Sequence, residues 1–442
     1  MAISGGRIVI AFVNVIGLAL LSCVADGAIQ LAGRKHSLHI VRRPRGRNLA
    51  GGDPTVFNVM NFGAKTDDKT DNHGPFAQAW NAACQNIGPA KLVIPPGTYM
   101  AGQLYFQGPC KGSNPIIVEI QGTIKGTTDI SEFQDDGWIT FEYLDGLILT
   151  GGGTLDGQGA FAWKHNDCRK NINCQHLPKS LKIHRVNNSV IHDIKSVNPL
   201  GFHMFVTMSS NITVHHLDIS APADSPNTDG IHVSGSSFVD ISHSKIGTGD
   251  DCISVGQGST KVSISNILCG PGHGISVGSL GRTKGEGPVN GVLVKDCTLS
   301  QTTNGVRIKT FSKSTPNQAS GIVFQDIVMD KVQNPILIDQ NYGTSRKKAG
   351  KASSQSKVKI SDVLYRNIRG STNTSAAVSL SCSSVFPCER VELVDIDLVY
   401  DGTGSTKIVQ NPTLSALCMN VKVKPGEHGL IVMEAKVSLG TL

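Results

Sequence analysis

The chain has 442 residues, of which 49 are glycine, 39% are hydrophobic, 17% are charged and 5% are aromatic. Low charge with abundant Gly, Val, Ile, Ser and Thr excludes a coiled coil, a helical array or a disordered tail protein. The net charge of +7 sits almost wholly in residues 1–52, where seven basic residues face only Asp26. The other 390 residues carry a net +1, which excludes a globally basic nucleic-acid surface.

Residues 1–25 read as a secretory signal peptide. Arg7 supplies the positive start, Ile8–Val24 is apolar apart from Asn14 and Ser22, and small residues follow at Cys23, Ala25, Gly27 and Ala28. A run of about 17 residues is at the short limit for a membrane span, so the expectation is secretion with no membrane association after cleavage. Residues 26–52 read as a basic pro-segment or flexible arm, and 53–442 as one domain. Ten cysteines remain beyond the signal, without a C-x-x-C pair, so disulfides are the expected use. Candidate pairs are Cys168–Cys174, Cys252–Cys269 and Cys382–Cys388, with Cys84–Cys110 next. Asn187, Asn211 and Asn373 are N-x-S/T acceptor sites for glycosylation in that compartment.

In chain order, Val56–Ala64 predicts a strand. Gly74–Cys84 predicts a short amphipathic capping helix with Phe76, Ala79, Trp80 and Ala83 on one side. Leu92–Ile94 predicts a strand closed by the Pro95-Pro96-Gly97 turn. From about residue 115 helical periodicity gives way to short β-branched strands separated by Gly, Asn, Asp and Ser. Strand starts near Val190, Ile212, Val239, Val262, Val292, Ile322, Val358 and Val391 recur at intervals of 22 to 36 residues. Within them Asp229-Gly-Ile-His-Val, Asp251-Cys-Ile-Ser-Val, His273-Gly-Ile-Ser-Val, Asn304-Gly-Val-Arg-Ile and Asn334-Pro-Ile-Leu-Ile repeat one pattern. Such a repeat predicts an all-β, right-handed parallel β-helix solenoid. A propeller would need a longer, more even period. Side chains alternate across a strand, so Ile231/Val233, Ile253/Val255, Ile275/Val277 and Val306/Ile308 should stack inward.

The same alignment places chemistry. Asp229, Asp251 and His273 fall at one position on successive coils, 22 residues apart each time. Coils stack about 4.8 Å apart, and Asp250 adjoins Asp251, so three carboxylates and an imidazole converge on an outer face. Arg307 and Lys309 point outward beside them. Isolated Asp residues are common in solenoid turns because they tolerate left-handed backbone. Stacked carboxylates repel, however, and one should hold its proton to higher pH, which suits an acid–base pair across a glycosidic bond. Three Asp could alternatively hold Ca²⁺, but Arg307, Lys309 and His273 would repel it. Cations there fit the carboxylates of an anionic substrate better, so no metal or cofactor is expected.

Asn227-Thr228-Asp229, Gly249-Asp250-Asp251, Gly272-His273-Gly274 and Arg307-Ile308-Lys309 resemble the four signature segments of the polygalacturonases. The likeness runs from about Val56 to Cys418, and Cys252–Arg282 with Ile338–Tyr342 looks most like the plant, pollen-type branch. The resemblance implies a cell-wall enzyme that hydrolyses α-1,4-galacturonosyl bonds of pectin or polygalacturonate with inversion, as a monomer without a cofactor. It implies Asp250 as general acid, and Asp229 and Asp251 as the groups that orient and deprotonate water. His273 would support the acid, Asn227 would bind substrate or order its loop, and Arg307, Lys309 and Tyr342 would grip the sugar. Resemblance to pollen-type relatives, with the Cys168/Cys174 insertion, tilts the expectation towards exo attack. The chain departs from its relatives at Gly343, at the basic Arg346-Lys347-Lys348 and in a terminal Met419–Leu442 without cysteine, leaving Cys297 and Cys418 unpaired or joined differently. Two other readings remain at this point: a Ca²⁺-dependent pectate lyase or rhamnogalacturonan hydrolase, and a non-catalytic cell-wall-binding solenoid.

Overall fold

A computed structural model describes residues 53–112, 114–164, 166, 177–344, 355–401, 414–425 and 431–435. The predicted signal, the basic arm, the Cys168–Cys174 pair and Arg346-Lys347-Lys348 lie outside the described residues. Short parallel strands wind into a β-helix. One face is an eleven-stranded parallel sheet running from Leu104–Gln107 to Ser415–Met419. The remaining strands form a nineteen-stranded sheet covering the other sides. Strand Ser237–Gly247 shows how the corner is made, because its first half pairs with Ser210–His215 and its second with Asp218–Ser220. The bend falls on His243, and in later coils on Asn266, Asp296, Asp326, Asn367 and Asp395, with φ between 48° and 55°. Asn and Asp recur there because they tolerate left-handed backbone better than other side chains.

Inward positions of the eleven-stranded sheet form unbroken columns. Ile231, Ile253, Ile275, Val306 and Ile336 pair in register, as do Val233, Val255, Val277, Ile308 and Ile338. All ten are fully buried, as the sequence pattern predicts. Two predicted strand starts are out of register. Ser189, not Val190, pairs with Ile212. Ser189 can take the inward position because its hydroxyl donates to the Asn187 carbonyl and accepts from Leu147 N–H. Val358 begins its strand, Val358–Thr372, as predicted, but pairs with Asn317, and Val363 stands level with Ile322.

The N-terminal end is covered by the helix His73–Gln85, which buries Phe76, Ala79, Trp80 and Ala83 as expected. Trp80 packs on Phe106 and Phe141 at ring distances of 5.1 and 6.1 Å. The predicted strand Val56–Ala64 is shorter than expected. It spans Thr55–Asn58, after which the Asn58 side chain accepts from Met60 N–H and starts a 3-10 turn, Val59–Phe62.

Disulfides join Cys84–Cys110, Cys252–Cys269 and Cys382–Cys388. Cys418 is also disulfide-bonded, whereas Cys297 is a buried free thiol. Asn187, Asn211 and Asn373 are all exposed. Asn187 and Asn211 sit on neighbouring coils, where Asn187 Oδ1 accepts from Ser210 N–H and Asn211 Nδ2 donates to Asn188. Among the described residues no helix is long and apolar enough to cross a membrane.

Ile275 lies in the middle of its inward column, between Ile253 and Val306. Ile275→Ala should cost about 2–5 kcal/mol of stability. The half-buried Ser263, on an outward-facing position, should tolerate Ala with little change. Chemical denaturation of the two variants checks this contrast.

Candidate active site

The turns before three successive strands of the eleven-stranded sheet carry the acidic and imidazole side chains. Asp229 precedes Ile231–Ser234, Asp250 and Asp251 precede Ile253–Val255, and His273 precedes Ile275–Leu280. Two glycines let these turns pack tightly. A Cβ at Gly249 would lie 2.0 Å from the Ser225 carbonyl oxygen, and one at Gly274 (φ 83°) 2.1 Å from that of Asn304. The Cys252–Cys269 disulfide anchors the residue after Asp251 to the adjoining face.

Asp251 is fully buried and is held from three sides. Lys309 Nζ lies 2.6 Å from Oδ2, Arg307 Nη2 donates to Oδ1 at 2.8 Å, and Ser276 Oγ donates to Oδ1 at 2.9 Å. Arg307 Nε also donates to Ser276 Oγ at 3.0 Å, closing the bracket. Burial alone would push the Asp251 carboxyl up, but Lys309, Arg307 and these hydrogen bonds outweigh it and hold the carboxyl below its ordinary range. The Lys309 ammonium feels the reverse balance: burial pulls it down, and Asp251 more than offsets this.

Asp229 occupies the same position one coil earlier, where among the described residues no cation pairs with it. Its Oδ2 accepts from Ser254 Oγ at 2.7 Å. Burial, followed by the charges of Asp250 and Asp251, pushes its carboxyl well above the ordinary value. Two stacked carboxylates are thereby driven apart in proton affinity, the signature of an acid–base site. The sequence reading expected one raised carboxyl; the structure assigns that property to Asp229.

Asp250 is partly exposed, with 26% of its side chain open to solvent. Its Oδ1 accepts from His273 Nδ1 and from Asp251 N–H, both at 2.9 Å. Asp250, Asp251 and His273 bring their polar atoms within 4.8 Å of one another, the spacing of a metal site. Both oxygens of Asp251 are already committed to Lys309 and Arg307, however, which suits a cation poorly.

Arg307 and Lys309 thus join the site as expected, but as partners of Asp251. Tyr342 lies beside them, with its ring 5.4 Å from Lys309 Nζ and edge-on to Phe311. Asn227 is exposed with φ 57°. It lines a cleft of about 340 Å³ with Lys179, Phe202, Phe205 and His232. Sequence reasoning missed Ser254, Ser276 and His232. All three occupy the outward position of the repeated pattern, in one column with Arg307, and that column was the signal.

A parallel β-helix carrying paired carboxylates of opposed proton affinity, with cations beside them, defines a glycoside hydrolase. A profile of the glycosyl hydrolases family 28 matches residues 84–419. The chain is 43% identical to an exopolygalacturonase of Arabidopsis thaliana, covering 91% of this chain and 90% of that protein. It is 45% identical to an exopolygalacturonase of Platanus acerifolia, covering 83% and 94%. The fold resembles that of the Thermotoga maritima exopolygalacturonase, with TM-score 0.68 and 18% identity over 84% of this chain and 92% of that one. The chain belongs to glycosyl hydrolase family 28.

The split between the two carboxylates predicts opposite effects on stability. Asp251→Asn leaves Lys309 buried without its counter-charge and should cost about 3–5 kcal/mol near neutral pH. This difference should shrink as pH falls through the lowered Asp251 value. Asp229→Asn should raise stability near neutral pH, because Asn cannot acquire the unfavourable buried charge. That gain should vanish below the ordinary carboxyl range, where Asp229 is protonated both folded and unfolded. Melting temperatures of the two variants across pH 3–8 measure both effects.

Proposed function

We propose that the protein is a secreted polygalacturonase that removes galacturonosyl units from pectin in the cell wall by inverting acid–base hydrolysis. The observation that carries the reading is the Asp229/Asp250/Asp251 cluster with its two cations. Asp250 protonates the leaving glycosidic oxygen as the bond to the anomeric carbon breaks. With Oδ1 engaged twice, the proton belongs on Oδ2. Water attacks the opposite face of the sugar, and Asp229 with Asp251 orients it and takes its proton. An inverting pair of this kind is set about 6.5–9.5 Å apart to admit the water.

Asp229 accepts the proton only in its ionised form, which burial and the neighbouring carboxylates oppose and the Ser254 hydroxyl on Oδ2 favours. Asp251 supplies a fixed negative charge beside it. His273 orients Asp250 through Nδ1. Arg307 uses Nε and Nη2 on Ser276 and Asp251, and Nη1, without a partner among the described residues, is available to a substrate carboxylate, with Lys309 and Tyr342 alongside. Asn227 extends the site along the cleft. The names of the plant relatives support exo attack, and the apolar N-terminal segment supports secretion, with Asn187, Asn211 and Asn373 as glycosylation sites.

Purified protein should release reducing ends from polygalacturonate, with monogalacturonate as the product of exo attack. A chelator should leave the rate unchanged, and no unsaturated product should absorb in the ultraviolet, as a lyase product would. Asp250→Asn should lower kcat by about 10²–10⁴-fold without unfolding the protein. Arg307→Ala should weaken polygalacturonate more than methyl-esterified pectin if Nη1 grips a carboxylate. An equal loss on both substrates would assign Arg307 to Asp251 alone.

A further inference from the structure

His232 stands at the outward position of its strand, level with Ser254 on the next coil. Its ring lies within 5.2 and 5.3 Å of Phe202 and Phe205, and it lines the cleft beside Asn227. Its Nδ1 is 2.6 Å from Ser254 Oγ, and the same oxygen donates to Asp229 Oδ2 at 2.7 Å. Ser254 is 1% exposed and Asp229 7%, so water does not compete freely for this chain of bonds.

The single Ser254 hydroxyl proton fixes the direction of donation. If it points at Asp229, the Ser254 oxygen must accept from Nδ1–H of His232, and Nε2 is then a bare acceptor at the cleft. Burial holds the His232 imidazole down, at about 4, so the ring is neutral and has only one N–H to place. Gly256 leaves room for this ring edge, since a Cβ there would stand 3.0 Å from Nε2. The arrangement parallels the bracket on Asp251, where Arg307 braces Ser276. On Asp229 the brace is a neutral donor instead of a cation.

We propose that His232 is a positioning residue for the hydrolytic reaction: through Ser254 it directs a hydrogen bond onto Asp229 and so favours the ionised, water-accepting form of that carboxylate. A sugar hydroxyl donating to Nε2 in the cleft fixes the Nδ1–H tautomer and strengthens the same bond. Substrate binding and ionisation of Asp229 then support one another. The charges facing Asp229 are Asp250, Asp251 and Lys309, and those facing His232 are Lys309, Asp251 and Lys179. None is altered by the variants below.

The inference rests on the hydrolase reading above, and its test has an arm that needs no substrate. His232→Phe keeps a ring against Phe202 and Phe205 but removes the donor, and Ser254→Ala removes the link. In both, the acidic limb of the kcat profile on polygalacturonate should move up by about one pH unit. His232→Asn, which can place an N–H near Nδ1, should restore much of the shift. The double variant should move no further than Ser254→Ala alone, because one path is being cut twice. In the substrate-free arm, His232→Phe and Ser254→Ala should lose more melting temperature than wild type between pH 4 and pH 7. Unmoved limbs and unchanged pH dependence of melting, or fully additive shifts in the double variant, would overturn the proposal. Wild-type protein inactive on polygalacturonate, with the predicted melting behaviour intact, would instead remove the substrate reading and leave the hydrogen-bond chain standing.

Discussion

The contact on which the site depends is the pinning of Asp251 between Lys309 and Arg307. A fully buried carboxylate is costly in isolation, and here two cations from a strand two coils away balance it. With that charge fixed, Asp229 one coil earlier cannot ionise at the ordinary carboxyl value, and Asp250 at the rim stays accessible. Three acidic groups of one residue type thereby acquire three different environments. No sequence position supplies this by itself; it follows from which coil each residue stands on.

The parallel ladder does the placing. In-register pairing of Ile231, Ile253, Ile275 and Val306 holds the columns of buried apolar side chains, and the alternation of the strand then forces His232, Ser254, Ser276 and Arg307 into an outward column. Each serine in that column reaches a carboxylate of the preceding turn. Core packing and site geometry are therefore one constraint. A register slip of one residue would turn the inward column outward and scatter the serines and Arg307 from their partners.

Much of this was legible from the residues. The period of 22 between Asp229, Asp251 and His273 gave their stacking, and the Arg307/Lys309 alternation gave their common side. The less regular coils were harder: Ser189 takes an inward position that an apolar pattern assigns to Val190, because its hydroxyl is satisfied by local backbone. At the site, the sequence could show that cations and carboxylates meet but not which carboxylate they would neutralise. That depends on side-chain reach across two coils. Ser254 and His232 escape a sequence reading because serine and histidine at outward strand positions are usually only solvated, whereas here Ser254 is buried against Asp229 and His232 packs on Phe202 and Phe205.

The opposed proton affinities of Asp229 and Asp251 divide the acid–base work of the site. The most direct measurement is a carboxyl-carbon NMR titration of aspartate-labelled protein, with the two signals assigned by Asp229→Asn and Asp251→Asn. Asp251 should titrate below the ordinary carboxyl range and Asp229 well above it. Two coincident titrations near the ordinary value, or the reverse order, would contradict it.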